Sequence, residues 1–193
     1  MAGQTDRGLV FAAAGARATA VGLSGVILAL HLATLGLDAA AIGLAVSLGL
    51  AGCAIGTGVM AYAADRLGRR ASLVTLAGLM ALGGLMLAAT THPPILLLSM
   101  LVGMVNGMGR DRGAGLTVEQ AILPRTTTES GRTKVFAWYN VTIDAGHAVG
   151  SLLGGLPAFL RAHGSPSALH SYQWTWALYS GLCLLAGLAA LRL

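Results

Sequence analysis

The sequence predicts an all-α membrane protein with six transmembrane helices. Of its 193 residues, 55% are hydrophobic and only 10% are charged, whereas a soluble domain usually carries about 25% charged residues. The mean hydropathy of +0.75 indicates the same class. The apolar residues form long runs, and a transmembrane helix needs about 20 of them. The 28 glycines agree with this class, because small residues allow membrane helices to pack closely.

The first three spans follow from apolar runs with polar boundaries. We predict helices over residues 9–35, 42–64 and 71–90. Arg17 interrupts the first run, which then resumes and continues for almost 20 residues. This length favours a retained membrane helix over a cleaved signal sequence, whose apolar region is shorter.

The stretch GMGRDRGAGLTVEQ, residues 107–120, determines how the fourth span is interpreted. If the helix that begins near residue 94 ended at Gly109, it would have only about 16 residues, which is short for a span, and the charges would lie in a loop. Residues 113–123 return to an apolar pattern without proline, however, and the clear break comes at Pro124.

We therefore predict one continuous helix over residues 94–123, about 45 Å long at 1.5 Å per residue. Its midpoint places Arg110, Asp111 and Arg112 near the centre of the bilayer. Ionisable side chains at that depth cost several kcal/mol unless they are paired or hydrated, and they indicate function by default.

The fifth and sixth spans are predicted over residues 133–160 and 174–191. The spacing of polar residues in the fifth span places them in one stripe along a helix. The members of this polar stripe are Asn140, Asp144, His147 and Ser151. By depth, the stripe is expected to meet the charges of the fourth span.

Basic residues predict the orientation, because they concentrate in cytoplasmic segments. Six spans place both termini on one side, and with that side cytoplasmic the outer loops hold only Arg161. The basic residues inside are then Arg7, Arg66, Arg69, Arg70, Arg125, Arg132, Lys134 and Arg192. We expect a multi-pass protein of the inner (plasma) membrane with cytoplasmic termini, anchored at the outer interface by Tyr172, Trp174 and Trp176.

The intramembrane charges predict a solute or proton pathway. We expect Arg112 and Asp144 to form a midplane pair or shared site, in which the guanidinium suits an anionic group and Asp144 and His147 take up protons. Alternatively, these charges only neutralise one another and fix the helix register. The full predicted pathway comprises Arg110, Asp111, Arg112, Glu119, Asn140, Asp144 and His147. Glu119 and Arg17 are expected to form a second pair.

Residues 63–70, AADRLGRR, resemble the cytoplasmic signature of the major facilitator superfamily, approximately G-x-x-x-D-R-x-G-R-R. Ala61 replaces the leading glycine. The matching residues are Asp65, Arg66, Gly68, Arg69 and Arg70. The resemblance implies a charge relay that locks neighbouring helices in one gating state; alternatively, the arginines merely anchor the loop.

Residues 146–155, GHAVGSLLGG, resemble the fifth-helix motif of that family, G-x-x-x-G-P-x-x-G-G. The motif is linked with antiporters, and Ser151 replaces its proline. The matching residues are Gly146, Gly150, Gly154 and Gly155. From the residues alone, glycines four apart make a flat strip for close helix packing.

The resemblance implies the N-terminal six-helix half of a facilitator fold, built from two three-helix inverted repeats, with substrate bound between the halves near the midplane. It further implies a secondary transporter that moves a small solute by alternating access, with ion or proton coupling. The expected partners are the lipid bilayer, the solute, protons, and either a second six-helix half or a second copy. The alternative is a non-transporting six-span scaffold that binds a partner.

Other function classes receive no support from the sequence. The net charge of +5 does not indicate nucleic acid, because the basic residues are scattered between apolar runs. There is no His/Cys cluster at metal-ligand spacing and no phosphate-binding loop. We therefore expect no enzyme activity, no cofactor and no metal.

Overall fold

The computed structural model describes residues 2–110, 113–164 and 166–193, with side chains from residue 5 onward. Every regular element in this part of the chain is a helix, so the predicted all-α class is confirmed. The helices are α1 (Ala2–Thr34), α2 (Ala39–Leu67), α3 (Arg69–Ala89), α4 (Pro93–Val102), α5 (Ala114–Ile122), α6 (Arg132–Leu153), α7 (Leu156–Gly164) and α8 (Ala168–Ala190). Two short 3-10 helices, Leu123–Thr126 and Glu129–Gly131, connect α5 to α6.

Three of the described helices are long and apolar enough to cross a membrane: Thr5–Thr34 within α1, and all of α2 and α3. Helix α4 is apolar but only 10 residues long. Helices α6 and α8 have 22 and 23 residues, which is a sufficient length at 1.5 Å per residue. The helix lengths therefore fit a protein with several membrane passages.

Helix α1 lies at the centre of the bundle and packs most extensively against α6 and α8. Its contacts with α6 advance in the same sequence direction along both helices, from Gly15 beside Thr142 to Val26 beside Gly154. The two helices therefore run parallel, as the first and fifth spans of an up-and-down bundle would. Helix α8 also packs along α3 and closes the other side of the core.

A glycine face of α6 makes the contact with α1, as the motif predicts. A Cβ atom at Gly146 would lie 2.9 Å from the Gly15 carbonyl oxygen, and one at Gly154 would lie 2.6 Å from the Val26 Cβ atom. Gly150 is equally close to the α1 backbone, near Thr19. Gly146, Gly150 and Gly154 thus lie in close contact with α1. Gly155, in contrast, is exposed and has only the Leu152 carbonyl nearby, so it takes no part in this contact.

The prediction of one continuous helix over residues 94–123 is wrong. Helix α4 ends at Val102, and the next described helix, α5, begins at Ala114. The described residues between them, 103–110 and 113, form turns and irregular backbone. We call residues 103–110 the irregular segment of the fourth span.

Local chemistry explains why the helix stops. The Asn106 Nδ2 atom donates to the Arg110 carbonyl at 2.5 Å, and the Asn106 Oδ1 atom accepts from the Met108 N–H at 2.7 Å. Such side-chain bonds offer the backbone an alternative to helical pairing. Gly109 has φ +67 and Met104 has φ +49, a region that an α-helix does not use and that glycine adopts at low cost.

The predicted aromatic anchor is only partly correct. Trp174 is exposed on α8, but Tyr172 and Trp176 are buried inside the bundle. The Trp176 Nε1–H donates to His31 Nδ1 on α1 at 2.9 Å, and the His31 ring stacks on Tyr172 at 5.3 Å between centroids. These two aromatic residues therefore hold α8 against α1.

Candidate functional site

The irregular segment packs against the second half of α1. Gly109 lies against Gly25, where an added Cβ atom would come within 2.6 Å of the Gly109 backbone nitrogen. Gly107 lies against Leu28 on the same helix and Val46 on α2. This non-helical backbone therefore packs beside the interior of the predicted first span, away from its ends.

Neighbouring side chains satisfy the carbonyl groups that the broken helix leaves open. The Ser24 hydroxyl donates to the Asn106 carbonyl at 2.8 Å, and the Cys53 thiol donates to the Met104 carbonyl at 3.3 Å. Irregular backbone is tolerated at membrane depth only where protein or a water-filled cavity surrounds it. These bonds explain how the break persists inside a bundle of apolar helices.

Glycines on neighbouring helices make room for the break. Gly49 of α2 lies against the Val105 carbonyl, and Gly52 lies against the Leu101 carbonyl. Gly83 of α3 contacts Gly103, with an added Cβ atom only 2.6 Å from the Gly103 Cα atom. Because a larger residue at these positions would collide with backbone, the break is held by close backbone contacts.

A closed cluster of three polar side chains lies nearby, formed by Arg17, Glu119 and Tyr139. The Arg17 guanidinium contacts the Glu119 carboxylate through two nitrogens, at 2.5 Å from Nη2 to Oε2 and 3.4 Å from Nε to Oε1. The Tyr139 hydroxyl donates to Glu119 Oε2 at 2.6 Å. Relative exposures of 5%, 1% and 0% show that the closed cluster is sealed from solvent.

The predicted Arg17–Glu119 pair is confirmed. The sequence did not predict that Tyr139 also bonds to Glu119. Tyr139 belongs to α6, whereas Arg17 belongs to α1 and Glu119 to α5, so the cluster joins three helices. A buried pair of this kind is retained only when its geometry is good and further hydrogen bonds satisfy the remaining atoms. Glu119 is therefore buried, unlike the exposed polar residues of the predicted pathway.

The polar stripe of α6 faces the other way. Asn140, Asp144 and Ser151 are exposed, and His147 is partly buried. The glycine face of the same helix is buried against α1. The predicted division of α6 into a packing face and a polar face is thus present in the structure.

Helix α1 places the polar stripe and the irregular segment at one level. Gly22 lies against the backbone of His147, with an added Cβ atom 2.9 Å from the His147 Cα atom. Gly25, which contacts Gly109, is three residues further along, a rise of about 4.5 Å at 1.5 Å per residue. His147 of the stripe and Gly109 of the break therefore lie within one turn of each other along α1.

The charged triplet is only partly described. The Arg110 side chain is exposed, and its backbone carbonyl accepts the Asn106 amide bond. Asp111 and Arg112 lie outside the described residues. The Arg112–Asp144 pair therefore stays a prediction, whereas Arg110 and Asp144 are both exposed on the surface of the described bundle.

The predicted gating loop forms the tight turn between α2 and α3. Gly68 has φ +84, and its carbonyl accepts bonds from the Ser72 N–H and the Ser72 hydroxyl, each at 3.0 Å. The Arg69 guanidinium donates to the Ala121 carbonyl in the last turn of α5 at 2.5 Å. This bond attaches the loop to the C-terminal end of α5.

The other charges of this loop, Asp65, Arg66 and Arg70, are exposed. Among the residues that the structure describes, Asp65 forms no ion pair. The charge relay between the aspartate and the arginines therefore remains an expectation from the family resemblance, while the Arg69 contact is a structural fact.

Comparison with known proteins identifies a matching family and a relative. The sequence profile of the family described as Major Facilitator Superfamily matches residues 10–193. A relative in Saccharomyces cerevisiae, described as an uncharacterized membrane protein, is 27% identical over 177 residues. The match covers 91% of this chain but 40% of the relative, so the chain spans less than half the length of that protein.

Proposed function

Because the chain belongs to the major facilitator superfamily, we propose that it forms one half of a secondary transporter that moves a small solute by alternating access. In this proposal α4 and α5 together form the fourth span, α6 and α7 the fifth, and α8 the sixth. The six spans then make two inverted three-helix repeats, and solute binds at the face presented to the other half.

The observation that carries the proposal is the exposed polar stripe on α6. Asp144 and its polar neighbours lie opposite a glycine face that is fully packed on α1. A carboxylate facing lipid would cost several kcal/mol, so such residues face a bundle interior or a water-filled cavity. The stripe is therefore assigned to the solute pathway, together with the exposed Arg110 at the same level.

The pathway is completed by a second set of helices in this proposal. The relative in yeast is more than twice as long as the matched region, which supports six further spans. A second copy of the chain is the other candidate. Either would enclose the polar stripe and the Arg110 side chain between two halves.

The coupling of proton movement to solute movement is assigned to Asp144 and His147. A carboxylate and an imidazole on one helix face can bind protons in one access state and release them in the other. Arg110, and Arg112 if it shares the cavity, would favour an anionic group on the solute. Whether the solute carries a negative charge thus depends on the balance of positive and negative side chains in the pathway.

The α2–α3 turn is assigned to gating at the cytoplasmic side of the inner membrane, with both termini on that side. One surface depression of the structure is lined by Asp6 of α1, Arg69 and Arg70 of the turn, and Arg125 of the α5–α6 connection. The start of α1 therefore shares one end of the bundle with these basic residues, as the positive-inside rule expects.

A solute screen followed by flux tests the proposal. The intact purified protein is heated with small anions, sugars and amphipathic cations, and any compound that stabilises it is assayed for uptake into proteoliposomes with and without a proton gradient. We expect Asp144→Asn to abolish uptake while the protein stays folded. Glu129→Gln is the matched control, because that carboxylate lies in the exposed α5–α6 connection.

Two outcomes would count against transport. If a stabilising solute is found but no gradient moves it across the bilayer, the non-transporting scaffold becomes the better assignment. If Asp144→Asn transports at the rate of the unchanged protein, the polar stripe is not the pathway.

A further inference from the structure

A groove separate from the polar stripe runs between α1 and the beginning of α6. Its volume is about 430 Å³. The side chains that define it are Arg7, Phe11, Thr127, Lys134, Val135 and Trp138. We call it the basic–aromatic groove, because cationic and aromatic groups make up most of its walls.

Two cations face the groove from opposite walls. Arg7 belongs to α1 and Lys134 to the first turn of α6. In the described part of the chain neither forms an ion pair. The first turn of α6 contains no acidic residue, and the carboxylate just before it, Glu129, lies 4.0 Å from Arg132 and not beside Lys134. This end of the groove therefore attracts an anion.

The rest of the groove is apolar and open to the exterior. Trp138 is 58% exposed, whereas Val135 beneath it is buried. Phe11 is held in place by an edge-to-face contact with Tyr139, at 6.0 Å between ring centroids. Exposed tryptophans prefer the boundary between headgroups and hydrocarbon, so this surface suits the upper part of an acyl chain.

We propose that the basic–aromatic groove binds an anionic phospholipid. The phosphate lies between Arg7 and Lys134, and the first acyl carbons pass over Trp138. A free anion would use the two cations but not the apolar wall, and a neutral lipid would use the wall but not the cations. Basic pockets between membrane helices bind acidic headgroups in this manner. The site goes beyond transport and requires only that the protein lies in a membrane.

Thermal unfolding in detergent tests the proposal. The intact purified protein is heated with phosphatidylglycerol, with phosphatidylcholine, or with inorganic phosphate at equal concentration. We expect phosphatidylglycerol to raise the unfolding temperature and the other two to leave it nearly unchanged. An equal shift from phosphatidylcholine, or the full shift from inorganic phosphate alone, would overturn the assignment to an anionic lipid.

Charge variants locate the effect. Arg7→Gln and Lys134→Gln are expected to remove most of the phosphatidylglycerol shift. Arg70→Gln is the matched control, because it removes the same charge from the same end of the bundle but lines a different depression. If Arg70→Gln reduces the shift as much as Lys134→Gln does, the attraction is diffuse and the groove is not a site.

Fluorescence provides a second readout that does not depend on stability. Brominated phosphatidylglycerol should quench the Trp138 emission more strongly than brominated phosphatidylcholine, and Trp138→Phe should remove that difference. Trp176 is buried, whereas Trp174 is exposed on α8, and its quenching is the part that Trp138→Phe retains. Equal quenching by both lipids would contradict the proposal, as would a difference that survives in Trp138→Phe.

Discussion

Helix α6 carries two polar regions that the structure treats in opposite ways. Tyr139 belongs to the closed cluster, where it donates to Glu119 and is sealed from solvent. Asp144 and Ser151, on the polar stripe, are exposed. The two regions begin only one residue apart, at Tyr139 and Asn140. A charged residue within a span therefore does not by itself mark a pathway; it also has to lack a buried partner within the same chain.

The closed cluster has the properties of a structural joint. Arg17 and Tyr139 both bond to the Glu119 carboxylate across three helices of this chain, and breaking a buried ion pair by removing one partner is strongly destabilising. The polar stripe has the reverse property, since its carboxylate, Asp144, is exposed. Variants in the two regions should therefore fail in different assays.

The largest effect on folding is expected from the closed cluster. Glu119→Leu leaves the Arg17 charge buried without its carboxylate, and breaking such a pair costs about 3–5 kcal/mol. Denaturant unfolding of the purified protein in mixed micelles measures the change. Asp144→Asn is the comparison variant, and it should unfold like the unchanged protein. Equal losses in both variants would remove the distinction between the two regions.

A double variant sharpens this result. Arg17→Met combined with Glu119→Leu removes both charges, and replacing a whole buried pair by apolar residues is often neutral. We expect the double variant to regain most of the stability that Glu119→Leu loses, which a double-mutant cycle quantifies. Additive losses would mean that the two side chains act independently.

The glycine face of α6 should give the next largest effect. Gly150→Ala places a methyl group against the α1 backbone, 2.8 Å from the Leu23 nitrogen, and overpacking of this kind costs about 1–3 kcal/mol. Gly78→Ala on α3 is the control, because no atom lies within 4 Å of its added Cβ. The same unfolding titration measures both. A neutral Gly150→Ala would show that α1 and α6 are less closely packed than described.

The break in the fourth span should be sensitive to Asn106. Asn106→Ala removes the bonds to the Arg110 carbonyl and the Met108 N–H, and each lost hydrogen bond contributes about 0.5–1.5 kcal/mol. We also expect faster hydrogen exchange over residues 103–110. Unchanged exchange in this variant would mean that the glycine contacts alone fix the irregular segment.

The all-α class and the Arg17–Glu119 pair could be predicted from the sequence, because long apolar runs indicate membrane helices and the two charges were expected at a similar depth on the cytoplasmic side of the midplane. The break was not predicted, although Gly103, Asn106 and Gly109 supplied a signal: apolar composition continues through the segment, and hydropathy does not report backbone conformation. Tyr139 and the His31–Trp176 bond were missed for another reason. Which helix faces an aromatic side chain depends on packing between elements distant in sequence.

The smallest effect is expected at the α2–α3 turn. Arg69→Gln loses the bond to the Ala121 carbonyl, worth about 0.5–1.5 kcal/mol, whereas Arg66→Gln changes an exposed residue. Limited trypsin digestion at Arg125 reports how firmly the end of α5 is held. We expect faster cleavage in Arg69→Gln than in Arg66→Gln. Identical cleavage rates would show that the loop does not hold the fourth span.

Thiol labelling tests most directly whether the polar stripe borders water. Cys53 and Cys183 are buried, so Ser151→Cys adds one reactive position with little background. Leu185→Cys is the control, because it lies on α8 among the exposed leucines Leu184 and Leu188. In native membranes, a charged, water-soluble thiol reagent should modify Ser151→Cys rapidly and Leu185→Cys hardly at all. If Ser151→Cys is as unreactive as Leu185→Cys, the stripe faces lipid or packed protein, and the assignment of a solute pathway to α6 is wrong.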